Sequence, residues 1–100
     1  MTPVRFRREA KVELNRAAAY YEEQRDGLGL DLLSEVEKVT QRIGQNPKLH
    51  AVYKDTPCRK AVVARFPFNV FYQELDDVVW IVAVAHAKRK PDYWIGRTGE

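Results

Sequence analysis

The feature that most constrains the fold is a change in the period of the apolar residues midway along the chain. From Arg8 to Gln24, and again from about Leu30 to Ile43, apolar residues recur every three to four positions, as on one face of a helix. From Arg59 onward they alternate or form short runs rich in Val, Phe, Tyr and Ile, which is typical of strands. Two helices followed by strands predict an α+β protein.

Four strands are expected, one before the helices and three after them. Val4 and Phe6 alternate with Arg5 and Arg7 in the first strand, and the later strands are Arg59–Phe66, Phe68–Leu75 and Val78–His86. The pair Asp76-Asp77 predicts a tight hairpin between the last two strands. Because Val78–Ala85 is apolar on both faces, it should be the covered, central strand. The predicted order is β-α-α-β-β-β, with a helical hairpin packed on a mainly antiparallel sheet.

Glycine and proline mark the boundaries of these elements. Gly27 and Gly29 are predicted to end the first helix, because glycine tolerates the left-handed backbone at a helix C-terminus. Asn46-Pro47 is predicted to stop the second helix, since proline cannot continue it. Pro67 indicates a turn or bulge between two strands.

The composition is that of a small globular domain. The chain has 100 residues, 45% hydrophobic and 31% charged, which predicts a single domain over residues 1–100. No apolar run approaches the ~20 residues of a membrane span, and Met1 to Glu9 is charged, so we expect a soluble, cytoplasmic protein with no membrane partner. Cys58 is the only cysteine, which excludes an internal disulfide. With His50 and His86 lacking ligand spacing, neither a metal nor a cofactor is expected.

Charge is spread unevenly along the chain. The formal net charge is +3 and the pI is about 9.1. Residues 1–16 carry five basic and two acidic side chains, residues 17–50 four and six, and residues 51–100 eight and six. An acidic middle therefore separates two basic ends, which is compatible with an acidic or nucleic-acid partner.

One run of residues combines the chemistry needed to handle a nucleic acid. His86 to Trp94 contains an imidazole, three consecutive cations and two aromatic rings. Such a run can hold phosphates, stack a base on Tyr93 or Trp94, and use His86 to transfer a proton. The alternative is a solvated terminal charge run in which Trp94 packs on the core. Composition leaves both open.

A second set of cations lies in the strand that begins at Arg59. Arg59 and Arg65 are an even number of residues apart, so an unbroken strand would place both on one face, with Lys60 between them. If that face lacks helices, they join the C-terminal run in a basic concavity. The alternative is a set of solvated charges on an open sheet face. A metal-free ribonuclease needs a base, an acid and cations, which these side chains can supply: His86, Tyr93, Lys54, Arg59 and Arg89.

Four motifs in series resemble the RelE/ParE toxin superfamily, and more closely its ParE-like members. They are Tyr20–Gly29, Asn46-Pro47, Arg65–Tyr72 and Val84–Trp94, in family order and over nearly the whole chain. The resemblance implies the toxin of a type II toxin–antitoxin module, associated with plasmid stabilisation and growth inhibition. Its partner is then a cognate antitoxin protein, in a toxin–antitoxin hetero-oligomer.

The resemblance leaves two molecular targets. RelE-type toxins are ribosome-dependent, metal-free mRNA endoribonucleases, whereas ParE-type toxins inhibit DNA gyrase and have no catalytic site. Asn69 stands where the nucleases carry a phosphate-binding arginine, and an amide cannot offset the charge of phosphoryl transfer. We therefore expect gyrase inhibition. The alternative is mRNA cleavage on the translating ribosome, and its candidate catalytic residues are His86, Arg89, Tyr93, Arg59 and Lys60. A third hypothesis is a basic nucleic-acid-binding module without toxicity.

Overall fold

The computed structural model describes residues 1–98 and contains two helices and four strands in the predicted order. The C-terminal tail from Lys88 to Glu100, which the sequence predicts to be irregular, is thus described up to Thr98, and its last two residues lie outside the described part. The elements are β1 (Val4–Phe6), α1 (Arg8–Gln24), α2 (Leu28–Gln45), β2 (Arg59–Val62), β3 (Phe68–Leu75) and β4 (Val78–His86), followed by a 3₁₀ turn at Ile95–Arg97.

The four strands form one sheet in the order β1-β4-β3-β2. Strand β3 is antiparallel to both β2 and β4, while β1 runs parallel to β4. The prediction of a mainly antiparallel sheet with β4 inside it is confirmed. Asp76 and Asp77 form the hairpin turn with φ of 53° and 63°, as a two-residue turn matched to the strand twist requires.

Both helices cover the same face of the sheet. The apolar stripe of α2 is buried at Leu32, Val36, Val39 and Ile43, and α1 adds Ala10 and Leu14. These side chains pack in one core with alternate residues of β3 and β4, including Val70, Tyr72, Val79 and Ile81. Burial of this stripe, rather than intrinsic helix propensity, holds the hairpin of helices on the sheet.

The junction between the helices differs from the prediction. Gly27 does not end α1 but precedes α2, which starts at Leu28 rather than Leu30, with a left-handed φ of 87° at Gly27. The Glu22 carboxylate accepts hydrogen bonds from the backbone N–H groups of Gly27 and Gly29, at 2.9 and 3.0 Å. Gly29 lies inside α2, where a Cβ would approach the Ala18 carbonyl oxygen to 2.4 Å. Gly29 thus permits a close helix–helix contact.

Strand β2 is shorter than predicted. It ends at Val62 rather than Phe66, and residues 64–67 form the bend that Pro67 indicated. Arg65 has a left-handed φ of 71° within this bend. Its guanidinium reaches α2, at 3.3 Å from Asp31 and 3.5 Å from Glu35. A bend paired with α2 replaces the last part of the expected strand.

The other face of the sheet carries a second, smaller core without a helix. Trp94 is 1% exposed and stacks on Phe71 with ring centroids 4.3 Å apart. Tyr53, from the segment before β2, packs edge-on against Phe71 at 4.9 Å. The C-terminal segment after β4, residues 87–98, therefore closes the sheet face that the helices leave uncovered.

Candidate functional site

A cavity of about 140 Å³ lies at the end of β4, beneath the C-terminal segment; we call it the β4-end cavity. Its lining includes four of the five predicted nuclease residues together with the position expected to hold an arginine: Lys60, His86, Arg89, Tyr93 and Asn69. Asn69 pairs with Val62 and Ala85 in the sheet and lines the cavity, so an amide stands at this position. The fold thus brings together residues that are up to 33 positions apart, Lys60 and Tyr93.

Neither of the two arginines predicted to share a face lies in this cavity. The Arg59 guanidinium donates a hydrogen bond of 2.6 Å to the carbonyl oxygen of His50. Arg65 is paired with α2, on the helical side of the sheet. The prediction that Arg59 and Arg65 join the C-terminal run in one concavity is wrong, because Arg59 is engaged by His50 and β2 ends before Arg65.

The centre of polar contacts around the site is Glu13 of α1, which sequence reasoning missed. Its carboxylate accepts hydrogen bonds from the Tyr93 hydroxyl, from both terminal nitrogens of Arg97 at 3.0 Å, and from the Val84 backbone N–H at 3.0 Å. Arg89 lies 3.6 Å from the same carboxylate. We call Glu13, Arg89, Tyr93 and Arg97 the Glu13 clasp, because they join α1 to the C-terminal segment.

The Glu13 clasp changes the chemistry available to Tyr93. Burial raises the pKa of the Tyr93 hydroxyl, and its hydrogen bond to Glu13 raises it further. The ring is also covered by Arg89, whose guanidinium carbon lies 3.7 Å from the ring centroid. The phenol is therefore held protonated as a donor to Glu13 at neutral pH.

A second polar contact fixes the other side of the C-terminal segment. Asp92, with a left-handed φ of 67°, accepts hydrogen bonds from the Tyr53 hydroxyl at 2.8 Å and from Lys54 Nζ at 3.0 Å. The hydrogen bond from Lys54, then that from Tyr53, lowers the pKa of Asp92. Lys54, predicted as a phosphate-binding cation, is thus paired with a carboxylate.

His86 is one of the residues that line the β4-end cavity. Its ring packs edge-on against Phe68, with centroids 5.2 Å apart. Nδ1 accepts a hydrogen bond of 3.0 Å from the Lys88 backbone N–H, so the neutral ring carries its proton on Nε2. One nitrogen of the imidazole is consequently occupied by the backbone.

Cys58 has the surroundings of a structural thiol. It is fully buried, and Sγ lies 3.8 Å from the Gln73 Oε1. Burial raises its pKa from 9.0 to about 11, so the thiolate that a nucleophile needs is scarce at neutral pH. Within residues 1–98 there is no group of three or more His, Cys, Asp or Glu side chains able to hold a metal ion.

In comparisons with known proteins, residues 4–91 match the family described as the ParE toxin of the type II toxin–antitoxin system parDE. Among solved structures, the chain is similar to a protein of the chromosomal ParDE toxin–antitoxin system from P. aeruginosa. The TM-score is 0.74 at 15% identity, over 88% of this chain and 98% of that one, which shows a shared fold. No curated protein matches, and no helix within residues 1–98 is long and apolar enough to cross a membrane. Because the family match spans most of its length, the chain belongs to the ParE toxin family of type II toxin–antitoxin systems.

Proposed function

We propose that this toxin arrests growth by binding and inhibiting DNA gyrase, without catalysing RNA cleavage. The observation that carries the proposal is the Glu13 clasp. It engages Tyr93 and Arg89, the two C-terminal side chains that a nuclease of this superfamily would use on its substrate. Groups held by a carboxylate of the same chain are unavailable to a scissile phosphate.

The contacts that hold Tyr93 and Arg89 matter because phosphodiester cleavage needs groups that are free to transfer a proton and to offset negative charge. A general acid or base must release or take up a proton near neutral pH. The raised pKa of Tyr93 opposes that role. The developing negative charge also needs a cation beside it, and Asn69 supplies only an amide. Inhibition by binding requires neither group.

Membership of a toxin–antitoxin family implies a cognate antitoxin as the partner that neutralises this chain. We propose that the antitoxin is encoded by the neighbouring gene and acts in the cytoplasm, where gyrase works. Growth arrest on induction of the toxin alone should be relieved by co-expression of that gene. Continued arrest despite a soluble neighbour protein would contradict this assignment.

The test of the target is a supercoiling assay with purified toxin, gyrase, ATP and relaxed plasmid. Micromolar toxin should inhibit supercoiling, and Asn69→Ala should inhibit equally, because Asn69 has no role in binding by this proposal. Relaxation of the supercoiled form of the same plasmid by a type I topoisomerase is the control, since it would expose any effect of masking the DNA. Undiminished supercoiling at micromolar toxin would overturn the proposal.

The alternative target is mRNA on the ribosome, which is favoured by the presence of Lys60, His86 and Arg89 around one cavity. It predicts cleavage products in phase with codons when translating ribosomes are supplied. Tyr93→Phe or Arg89→Ala should then abolish the products. Intact transcripts in cells already arrested by the toxin would exclude this alternative.

A further inference from the structure

Six of the 17 basic side chains line two adjoining depressions formed mainly by α1 and the C-terminal segment. Besides the β4-end cavity, a groove of about 400 Å³ lies between α1 and the C-terminal segment; we call it the α1 groove. Arg89 lines both, so the two depressions adjoin. We call their charged lining residues the basic band: Arg8, Glu9, Glu13, Arg16, Lys60, Arg89, Lys90, Asp92 and Arg97.

The basic band accounts for the net charge of the chain. It contains six basic and three acidic side chains and so carries a net charge of +3. The formal net charge of all 100 residues is also +3, from 17 basic and 14 acidic side chains. The other eleven basic side chains are therefore balanced by eleven acidic ones. The band therefore has a positive electrostatic potential, because the other side chains together carry almost no net charge that could cancel it.

Two of the three acidic groups in the band are already neutralised. Glu13 is paired with Arg97 at 3.0 Å, and Asp92 with Lys54 at 3.0 Å. By contrast, the exposed side chains of Arg8, Arg16 and Lys90 form no ion pair within residues 1–98. The band therefore presents free cations beside internally compensated carboxylates, with Glu9 as the one remaining acidic group among its described residues.

We propose that the basic band binds the phosphate backbone of duplex DNA through its four cations outside the Glu13 clasp, Arg8, Arg16, Lys60 and Lys90, a contact that goes beyond inhibition of gyrase. Arg8 and Arg16 share one side of α1, eight residues and therefore about 12 Å apart along a rigid helix. A guanidinium donates two parallel hydrogen bonds to a phosphate, which suits it to a repeating polyanion. Lys60 and Lys90 extend the same surface beyond Arg89.

The state of the aromatic residues favours a duplex over a single strand. Proteins that bind single strands stack bases on exposed rings. Here Trp94 is buried, and the Tyr93 ring is contacted by Arg89 and Arg97, with guanidinium carbons 3.7 and 5.2 Å from its centroid. With these rings covered, the band offers cations and hydrogen-bond donors to a backbone rather than a platform for bases.

The test measures binding of the full chain to a fluorescent mixed-sequence duplex, without gyrase. We expect a micromolar Kd at about 50 mM salt that weakens roughly 100-fold by about 200 mM, as release of counterions from about four phosphates requires. Arg8→Gln with Arg16→Gln should lower the salt slope by about 2. The matched control is Arg25→Gln with Arg42→Gln, which removes two exposed charges outside the band and should leave the slope nearly unchanged.

Four results would overturn the proposal. They are absence of binding at about 50 mM salt, equal losses in the two double variants, tighter binding of single-stranded RNA, and equally effective competition by polyglutamate. The last two would assign the band to RNA or to an acidic protein. Because gyrase is absent, failure here leaves supercoiling inhibition untouched, and failure of the supercoiling assay leaves a measured affinity for DNA untouched.

Discussion

The two faces of the sheet are covered by different means. On one face, two regular helices bury a continuous apolar stripe against β3 and β4. On the other, an irregular C-terminal segment supplies one large ring, Trp94, and is held at its flanks by Glu13 and Asp92. The first cover is distributed over many side chains, and the second depends on a few named contacts.

The two covers therefore differ in role: the helical cover stabilises the fold, and the C-terminal cover carries the candidate functional site. The helical cover is held mainly by apolar packing, whereas the β4-end cavity, the α1 groove and the Glu13 clasp all adjoin the C-terminal segment. The cover supplied by the C-terminal segment depends on a few contacts, so single substitutions can detach it. The loss in the free energy of unfolding that each substitution causes measures how far this segment is part of the core.

The largest effect is expected at Trp94. Trp94→Ala should lower the free energy of unfolding by about 3–5 kcal/mol, comparable with about 2–5 kcal/mol for Leu32→Ala on the helical face, because both side chains are fully buried. Urea denaturation measures both, with Ile95→Ala as the control at a partly exposed neighbour. A cost below about 1 kcal/mol at Trp94, well under the range for a buried tryptophan, would show that the C-terminal segment is not part of the cooperative core.

The next effect is expected at Glu13. Glu13→Gln removes the charge that pairs with Arg97 while keeping the shape of the side chain, and should cost about 2–3 kcal/mol because both partners are mostly buried. Hydrogen exchange at residues 93–97 should increase together with the loss in stability. Glu37→Gln, at an exposed position of α2, is the control. Unchanged exchange in residues 93–97 would mean that the segment is held in place without the Glu13 clasp.

A smaller, pH-dependent effect is expected from Cys58, in the core under the C-terminal segment. Its pKa is raised from 9.0 to about 11 by burial, so the folded state favours the neutral thiol. This preference contributes about 2 kcal/mol to the free energy of unfolding. The contribution is fully present below pH 9 and is lost as the pH rises through 11. The difference between wild type and Cys58→Ala across this range isolates the effect from titrating tyrosines. A constant difference would refute the burial of the thiol.

The smallest effect is expected at Asp92, whose contact with Lys54 is exposed. Its pKa is lowered by Lys54 and Tyr53, so its contribution is present above pH 3.8 and is lost as pH falls further. Asp92→Asn tolerates the left-handed backbone, so it tests charge alone. Unfolding curves at neutral and acid pH should show a small deficit that disappears in acid. A deficit that persists in acid would show that the contribution of Asp92 does not come from its charge.

The order of elements was predictable because it depends on local periodicity. The 3.6-residue stripe of α2 and the period of two in β3 are properties of neighbouring residues, and the Asp76-Asp77 turn has its own short-range signal. The boundaries were less predictable. Gly29 looked like a terminator but serves a close contact with Ala18, which only the packing of α1 on α2 makes necessary.

The candidate site was predicted only in part. Its C-terminal residues were identified because they form one run in the sequence, and Lys60 because it stands in a basic strand. Glu13 was missed, since in α1 it looks like any other solvated charge at helical spacing. Only its distance to Tyr93 and Arg97, 80 and 84 positions away, shows its role.

The sequence by itself determined the element order, the mainly antiparallel sheet and membership of the toxin superfamily, because periodicity, turn residues and motifs are written in adjacent positions. The tertiary structure alone decided that Arg65 pairs with α2, that Glu13 engages Tyr93, and that the excess positive charge lies in one band. Each of these depends on contacts between distant parts of the chain. Such contacts depend on how whole helices and strands pack together, and no pattern among neighbouring residues predicts that packing.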